Sequence, residues 1–256
     1  MIISHKYKFI FIKPEKTAGS SLEIALSKYC DQNDIITTIG EEYIRKKHGY
    51  LGPRNYYSNN IDYVNFSKIL KHNTKSFIKT FKIIKKFIDY KNEPYFKTFY
   101  KNIFYEHINA SNIKANVSSK IWDNYFKFTI IRNPVDQFLS YYFHINNTME
   151  LIKQNPINYF IDAKAASFFR RTKNKYFIND NIIIDKFINF SQFKSDINFI
   201  GKKLMINDDL FKDFKNISAN TQYSNKSNLN IDNNTRKIIQ DYSADLFQLY
   251  LNISKK

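Results

Sequence analysis

The chain has 256 residues with 40 Lys and Arg against 23 Asp and Glu, a net charge of +17 that favours anionic partners. A single cysteine, Cys30, excludes a disulfide framework and any multi-cysteine zinc site, and no apolar run reaches the ~18 residues a membrane span needs. The length suits one core, no Pro/Gly/Ser linker divides it, and no charged-then-apolar leader precedes the first strand, so a single cytoplasmic domain over 1–256 is expected.

Tyr7 to Ile12 alternates aromatic and β-branched residues and reads as a buried strand. Leu22, Ala25 and Leu26 begin a helical stripe, so Lys13 to Ser21 is the turn between them. Such a turn is a phosphate cradle: the first N–H groups of the helix are unpaired, the dipole favours an anion, and Gly19 lets the backbone approach a ligand. Ser20 and Glu23 fit a capping box, and Cys30 fits a buried or half-buried helix position. The turn is not a Walker A loop, because Lys16 precedes the glycine and no upstream glycine exists.

Residues 55–103 read as a basic, aromatic-rich insertion. Between Lys68 and Lys101 ten lysines face only Asp89 and Glu93. Phe77, Phe81, Ile84 and Ile88 follow helical spacing with lysines around the rest of the wheel. Two readings stand: a basic amphipathic helix meeting a membrane surface or an acidic glycan, and a core-packed helix with solvated lysines. The lysine, asparagine and aromatic excess of the whole chain matches the codon bias of an AT-rich genome, and no nucleic-acid reader motif is present, so no nucleic-acid partner is expected.

Further on, Asn109 to Ser111 is a helix start. Trp122 to Phe143 is a second apolar strand running into a capped helix, with Asn133 as N-cap, Pro134 at the first position and Asp136 in the first turn. Val135, Phe138, Leu139 and Tyr142 form its buried stripe, leaving Ser140 on another face. Arg132 at the strand end and the Ser140 hydroxyl can converge on a second phosphate. In the last third, Asp185 to Phe190 reads as a strand, Ser191 to Met205 as a helix, and Asn233 to Asn252 as one long helix with Ile238, Tyr242, Leu246, Leu249 and Tyr250 on one face. Both motifs then lie at carboxyl ends of strands in a three-layer, P-loop-like α/β domain with a central parallel sheet and helices on both faces.

Lys16-Thr17-Ala18-Gly19-Ser20-Ser21 after a strand resembles the 5′-phosphosulfate loop of the carbohydrate sulfotransferases, usually Pro-Lys-Thr-Ala-Gly-Thr-Ser. Glu15 between Pro14 and Lys16, and Ser20 for threonine, are departures. Arg132-Asn133-Pro134, followed by Ser140 and Tyr142, looks like the 3′-phosphate motif of the same family, with Gln137 where a basic residue is usual. The stretch from Phe104 to Tyr142 resembles the family's central segment. The likeness is to the family that includes the heparan sulfate 2-O-sulfotransferase group. It covers residues 6–30 and 104–147 and weakens beyond Phe190.

The resemblance implies a sulfuryl donor, 3′-phosphoadenosine 5′-phosphosulfate, a glycan or glycolipid acceptor, and no metal. It implies that Lys16, Thr17, Ala18, Gly19, Ser20 and Ser21 hold the 5′-phosphate and that Arg132 and Ser140 hold the 3′-phosphate. Lys16 would also neutralise charge on the bridging oxygen. His107 aligns with the family's general base, and its place before a helix start favours a neutral imidazole. His48 is the second candidate for the base, and His144, on the face of Ser140, is structural or near the nucleotide. A loop from Tyr223 to Leu229, with Lys226, would close the nucleotide pocket. Two other classes remain: a P-loop-like kinase or nucleotide hydrolase, which lacks the Walker glycine and an evident magnesium-binding acid, and a non-catalytic anion or nucleic-acid binder.

Overall fold

The computed structural model describes residues 1–57, 103–148, 157–206, 208–217 and 231–255. The expected basic helix with Phe77, Phe81, Ile84 and Ile88, and the loop at Tyr223 to Leu229, lie outside the described residues.

The first apolar segment splits into a hairpin. Strand β1 (Ile2–Ser4) pairs antiparallel with β2 (Phe9–Phe11), through a turn in which Lys8 takes a left-handed φ of 54°. The strand read from Tyr7 to Ile12 is therefore shorter than expected and has a partner that three residues of pattern did not announce. Strand β3 (Ile35–Ile36) pairs antiparallel with β1. Strands β4 (Phe126–Ile131) and β7 (Lys186–Asn189) extend the sheet on the other side, each parallel to its neighbour, in the order β3-β1-β2-β4-β7. The sheet is thus mostly parallel, and the all-parallel expectation fails at β1, which a short hairpin turns back on β2. A separate two-stranded hairpin joins β5 (Phe177–Ile178) and β6 (Asn181–Ile182).

Side chains alternate across the pleat and divide between two apolar clusters. Ile3, Ile10, Ile12 and Phe187 join α3 (Ala110–Asn116), α5 (Pro134–Thr148), α6 (Ile157–Tyr176), α9 (Asn233–Tyr242) and α10 (Ala244–Ser254). Ile2, Phe9, Phe11, Phe128, Ile130 and Ile188 join α1 (Gly19–Ser27), α7 (Phe193–Lys203) and α8 (Leu210–Asn216). Two short helices, α2 (Glu42–Lys47) and α4 (Ser119–Asn124), and a 3-10 turn at Phe190–Gln192 complete the described set. Burial of α1 on nearly every face explains its apolar composition.

The strand-to-helix reading of Trp122 to Phe143 agrees with the structure from Phe126 on, but Trp122–Asn124, read as the start of the strand, lies in α4. Asn133 Oδ1 accepts from the N–H of Val135 at 3.0 Å, and α5 begins at Pro134. Phe138 is fully buried with Phe160, Phe168 and Phe169 at ring distances of 5.5–5.6 Å. Burying such a ring contributes about 1.5–3 kcal/mol, so α5 is firmly anchored and Arg132 and Ser140 are carried on a rigid frame. The 20-residue α6 was not anticipated from the sequence.

Three further expectations are corrected. The last helix is two, because Ser243 leaves helical geometry at φ −114°, ψ 18° and folds its Oγ back onto the carbonyl of Ile239 at 2.9 Å. Tyr242, next to that break, is exposed rather than on a common buried face. Cys30 lies beyond the end of α1, half-buried, with burial pushing its thiol pKa well up. Among the described residues no helix is long and apolar enough to cross a membrane.

Candidate anion and proton-transfer site

Because β2 and β4 are adjacent and parallel, the loops leaving their carboxyl ends lie side by side. Ile12 donates to the carbonyl of Phe128 at 3.1 Å, and Thr129 Oγ1 returns a bond to the carbonyl of Ile12 at 2.7 Å. From this base the chain enters Lys13 to Ala18, where Lys16 and Ala18 take left-handed φ values of 59° and 61° on either side of Thr17. Neither is glycine, so each conformation costs of order 1 kcal/mol or more. The return is a nest. Among the described residues, the backbone N–H groups of Lys16 through Ser21 have no acceptor, and they end at the positive pole of α1.

The capping box does not form. Ala18, not Ser20, occupies the N-cap with no side-chain bond, and Ser20 lies inside the helix, where its Oγ accepts from Lys13 Nζ at 3.0 Å. Glu23 is fully buried instead, 2.7 Å from the amino group of Met1, 3.3 Å from Lys13 and 3.3 Å from Arg45. Burial alone would raise its pKa, but the Met1 amine, Lys13 and Arg45 outweigh that and hold it down at about 2. Gly19 also has a packing role. A Cβ there would lie 2.7 Å from Lys13 Cγ, so the missing side chain makes room for the lysine stem. Gly19→Ala should cost about 1–3 kcal/mol by overpacking and displace Lys13, read as a lower Tm together with weaker anion binding. An unchanged Tm would contradict this packing.

The Lys16 ammonium, in the loop, makes no hydrogen bond or ion pair with a described residue. Burial lowers its pKa, nearby Glu41 opposes this, and Arg132 adds to the lowering. Arg132 Nη1 donates to the carbonyl of Lys16 at 3.0 Å while the guanidinium lies 4.4 Å over the ring of Phe190, at the end of β7. Burial lowers the Arg132 pKa, with Asp136 opposing. Its remaining N–H groups have no acceptor among the described residues and stand beside the nest. Ser140 is half-buried one turn before His144, whose pKa is lowered by burial and then by the Lys16 cation, with Glu41 opposing. Thr17 is buried with its hydroxyl on the carbonyl of Pro14 at 3.3 Å, which leaves its N–H, not its side chain, for a ligand.

Two of the three departures from the expected pattern, Glu15 and Gln137, lie side by side. Gln137 is buried and donates through Nε2 to the carbonyl of Glu15 at 2.7 Å. The Glu15 carboxylate points away to α6, 3.2 Å from Arg171 and 3.0 Å from the fully buried Lys175. Burial would raise the Glu15 pKa, but Lys175 and then His107 hold it below the usual carboxylate range. Its charge is therefore matched by α6.

His107 reaches the same loop from the segment before α3, with Nδ1 3.0 Å from the carbonyl oxygen of Lys13 and the ring one-third exposed. Burial lowers its pKa, the Lys13 cation lowers it further, and Glu106 and Glu15 oppose. The neutral imidazole expected from a helix terminus has this other cause. His48, by contrast, follows the end of α2 and packs its ring on Tyr50 at 5.3 Å.

Lys16, Arg132 and His107 are thus gathered around one loop. Sequence reasoning missed Lys13, Glu106, Arg171 and Lys175. Glu106 adjoins His107 and Lys13 adjoins the loop, which was the available signal. The chain matches no protein-family model, no curated protein and no solved structure.

Proposed function

We propose that the protein is a sulfotransferase, moving a sulfuryl group from 3′-phosphoadenosine 5′-phosphosulfate to a hydroxyl of a carbohydrate or glycoconjugate on a single three-layer, P-loop-like domain. The supporting observation is the nest itself: consecutive N–H groups of Lys16 through Ser21 and a Lys16 ammonium that have no partner among the described residues, with Arg132 held against the same loop. The apolar clusters on the two faces of the sheet support the three-layer reading.

In this reading the N–H groups of the nest and the hydroxyls of Ser20 and Ser21 bind the 5′-phosphate, and Arg132 with Ser140 binds the 3′-phosphate. The acceptor oxygen forms a bond to sulfur as the bond from sulfur to the 5′-phosphate oxygen breaks, which leaves the 3′,5′-bisphosphate. Lys16 neutralises charge on the departing oxygen, and His107 Nε2 takes the acceptor proton. Sulfuryl transfer is close to phosphoryl transfer in its loose transition state, so positioned charge is the main requirement. No protein group needs to form a covalent bond.

Arg132→Ala should weaken 3′-phosphoadenosine 5′-phosphate by roughly ten- to a hundredfold, the equivalent of about 1.5–3 kcal/mol for a charge-assisted contact. Adenosine 5′-phosphosulfate, which lacks the 3′-phosphate, should bind nearly unchanged. Equal losses for the two ligands would remove the 3′-phosphate role. The function is tested by incubating labelled donor with surface glycans of the source cell. Label should enter the glycan fraction with wild type and not with Lys16→Ala, and equal incorporation by both would overturn the reading.

A further inference from the structure

Two segments of the chain, the loop from Lys13 and the Glu106–His107 pair, meet around the His107 ring. The carbonyl oxygen of Lys13 lies 3.0 Å from Nδ1, and Glu106 Oε1 lies 3.7 Å from Nε2. That same carboxylate oxygen is gripped by Lys13 Nζ, which also donates to Ser20 Oγ at 3.0 Å and lies 3.3 Å from Glu23. Lys13 is 2% exposed, so its charge is fixed in place rather than sampling solvent. The other charge acting on the ring is that of Glu15, whose carboxylate lies on Arg171 and Lys175 of α6. A carbonyl only accepts, so Nδ1 carries the proton and Nε2 holds the lone pair.

We propose that Lys13 and Glu106 are positioning residues for His107: the Lys13 carbonyl fixes its tautomer, and the Lys13–Glu106 ion pair sets how readily Nε2 takes a proton. The proposal rests on the reading of His107 as the general base. The two charges act in opposite senses. The Lys13 cation disfavours an imidazolium and keeps the ring neutral and able to accept, while the Glu106 carboxylate stabilises the imidazolium once the acceptor proton arrives. Burial and the Lys13 charge together outweigh Glu106 and Glu15 in the resting protein. Because Lys13 also holds Ser20, one buried side chain builds both the anion cradle and the surroundings of the base.

The test is an NMR titration of the His107 imidazole in the full chain without ligand, with kcat against pH measured in parallel. Glu106→Gln should lower the His107 pKa, and Lys13→Met should raise it, each by about one unit. A base must be unprotonated to act, so the acid limb of kcat should move to lower pH in Glu106→Gln and to higher pH in Lys13→Met. A purely structural role would not give opposite shifts. Lys13 is buried beside Glu23, so if Lys13→Met does not fold, Glu106→Gln at its half-exposed site decides alone. A His107 titration that is unmoved, or moved in one direction by both variants, overturns the proposal. Opposite NMR shifts with a kcat profile that does not follow would uphold it and overturn instead the assignment of His107 as base.

Discussion

Lys16→Ala is expected to lose about 10²–10³-fold in kcat while its thermal transition stays where it is in wild type, the size of effect seen when one positioned donor to developing negative charge is removed. The separation follows from the environment of the side chain. The Lys16 ammonium makes no ion pair or hydrogen bond among the described residues, so its removal leaves no partner unsatisfied, and burial of its charge beside Arg132 is a mild liability to the fold. The nest is held by other contacts: Arg132 to the Lys16 carbonyl, Gln137 to the Glu15 carbonyl, and Lys13 to Ser20. These persist in the variant. Steady-state turnover at saturating donor and a thermal scan check both halves, and turnover near the wild-type rate would remove Lys16 from the reaction.

His107→Ala should lower kcat by about 10²–10⁴-fold with donor affinity nearly unchanged, the usual contribution of a general base. Its Nε2 is the atom left to accept a proton once Nδ1 is committed to the Lys13 carbonyl. His48→Ala should do much less, because that ring packs on Tyr50 at the end of α2. Both variants need a confirmed acceptor and saturating donor, since binding alone does not report proton transfer. A slower enzyme from His48→Ala than from His107→Ala would reverse the assignment.

What could be read from the sequence was local. Asn133-Pro134 marks a helix start by chemistry confined to a few residues, and the apolar run of β4 is long enough to carry a period, so that junction agrees with the structure. Strands of two or three residues, such as β1 and β3, carry too little pattern to be seen, and the antiparallel turn-back of β1 went with them. The break between α9 and α10 hides in a continuous apolar period, because Ser243 interrupts the backbone without a Gly or Pro. Inside the candidate site, the left-handed backbone at Lys16 and Ala18 is imposed by tertiary contacts on residues that do not favour it. The Lys13–Glu106 pair joins positions 93 residues apart, and Glu15 finds Arg171 at a separation of 156. No local spacing announces such partners. Gln137 meets Glu15 only through the backbone carbonyl, while the Glu15 carboxylate is matched by Arg171 and Lys175.

The loop and Arg132 are expected to take a doubly phosphorylated nucleotide. Calorimetric titration of the wild-type chain with 3′-phosphoadenosine 5′-phosphate should give saturable binding that is unaffected by a metal chelator. ATP should bind at least roughly tenfold more weakly, a difference of about 1.4 kcal/mol, with or without magnesium. Magnesium-dependent binding of ATP in preference to the bisphosphate, or no binding of either nucleotide, would contradict it.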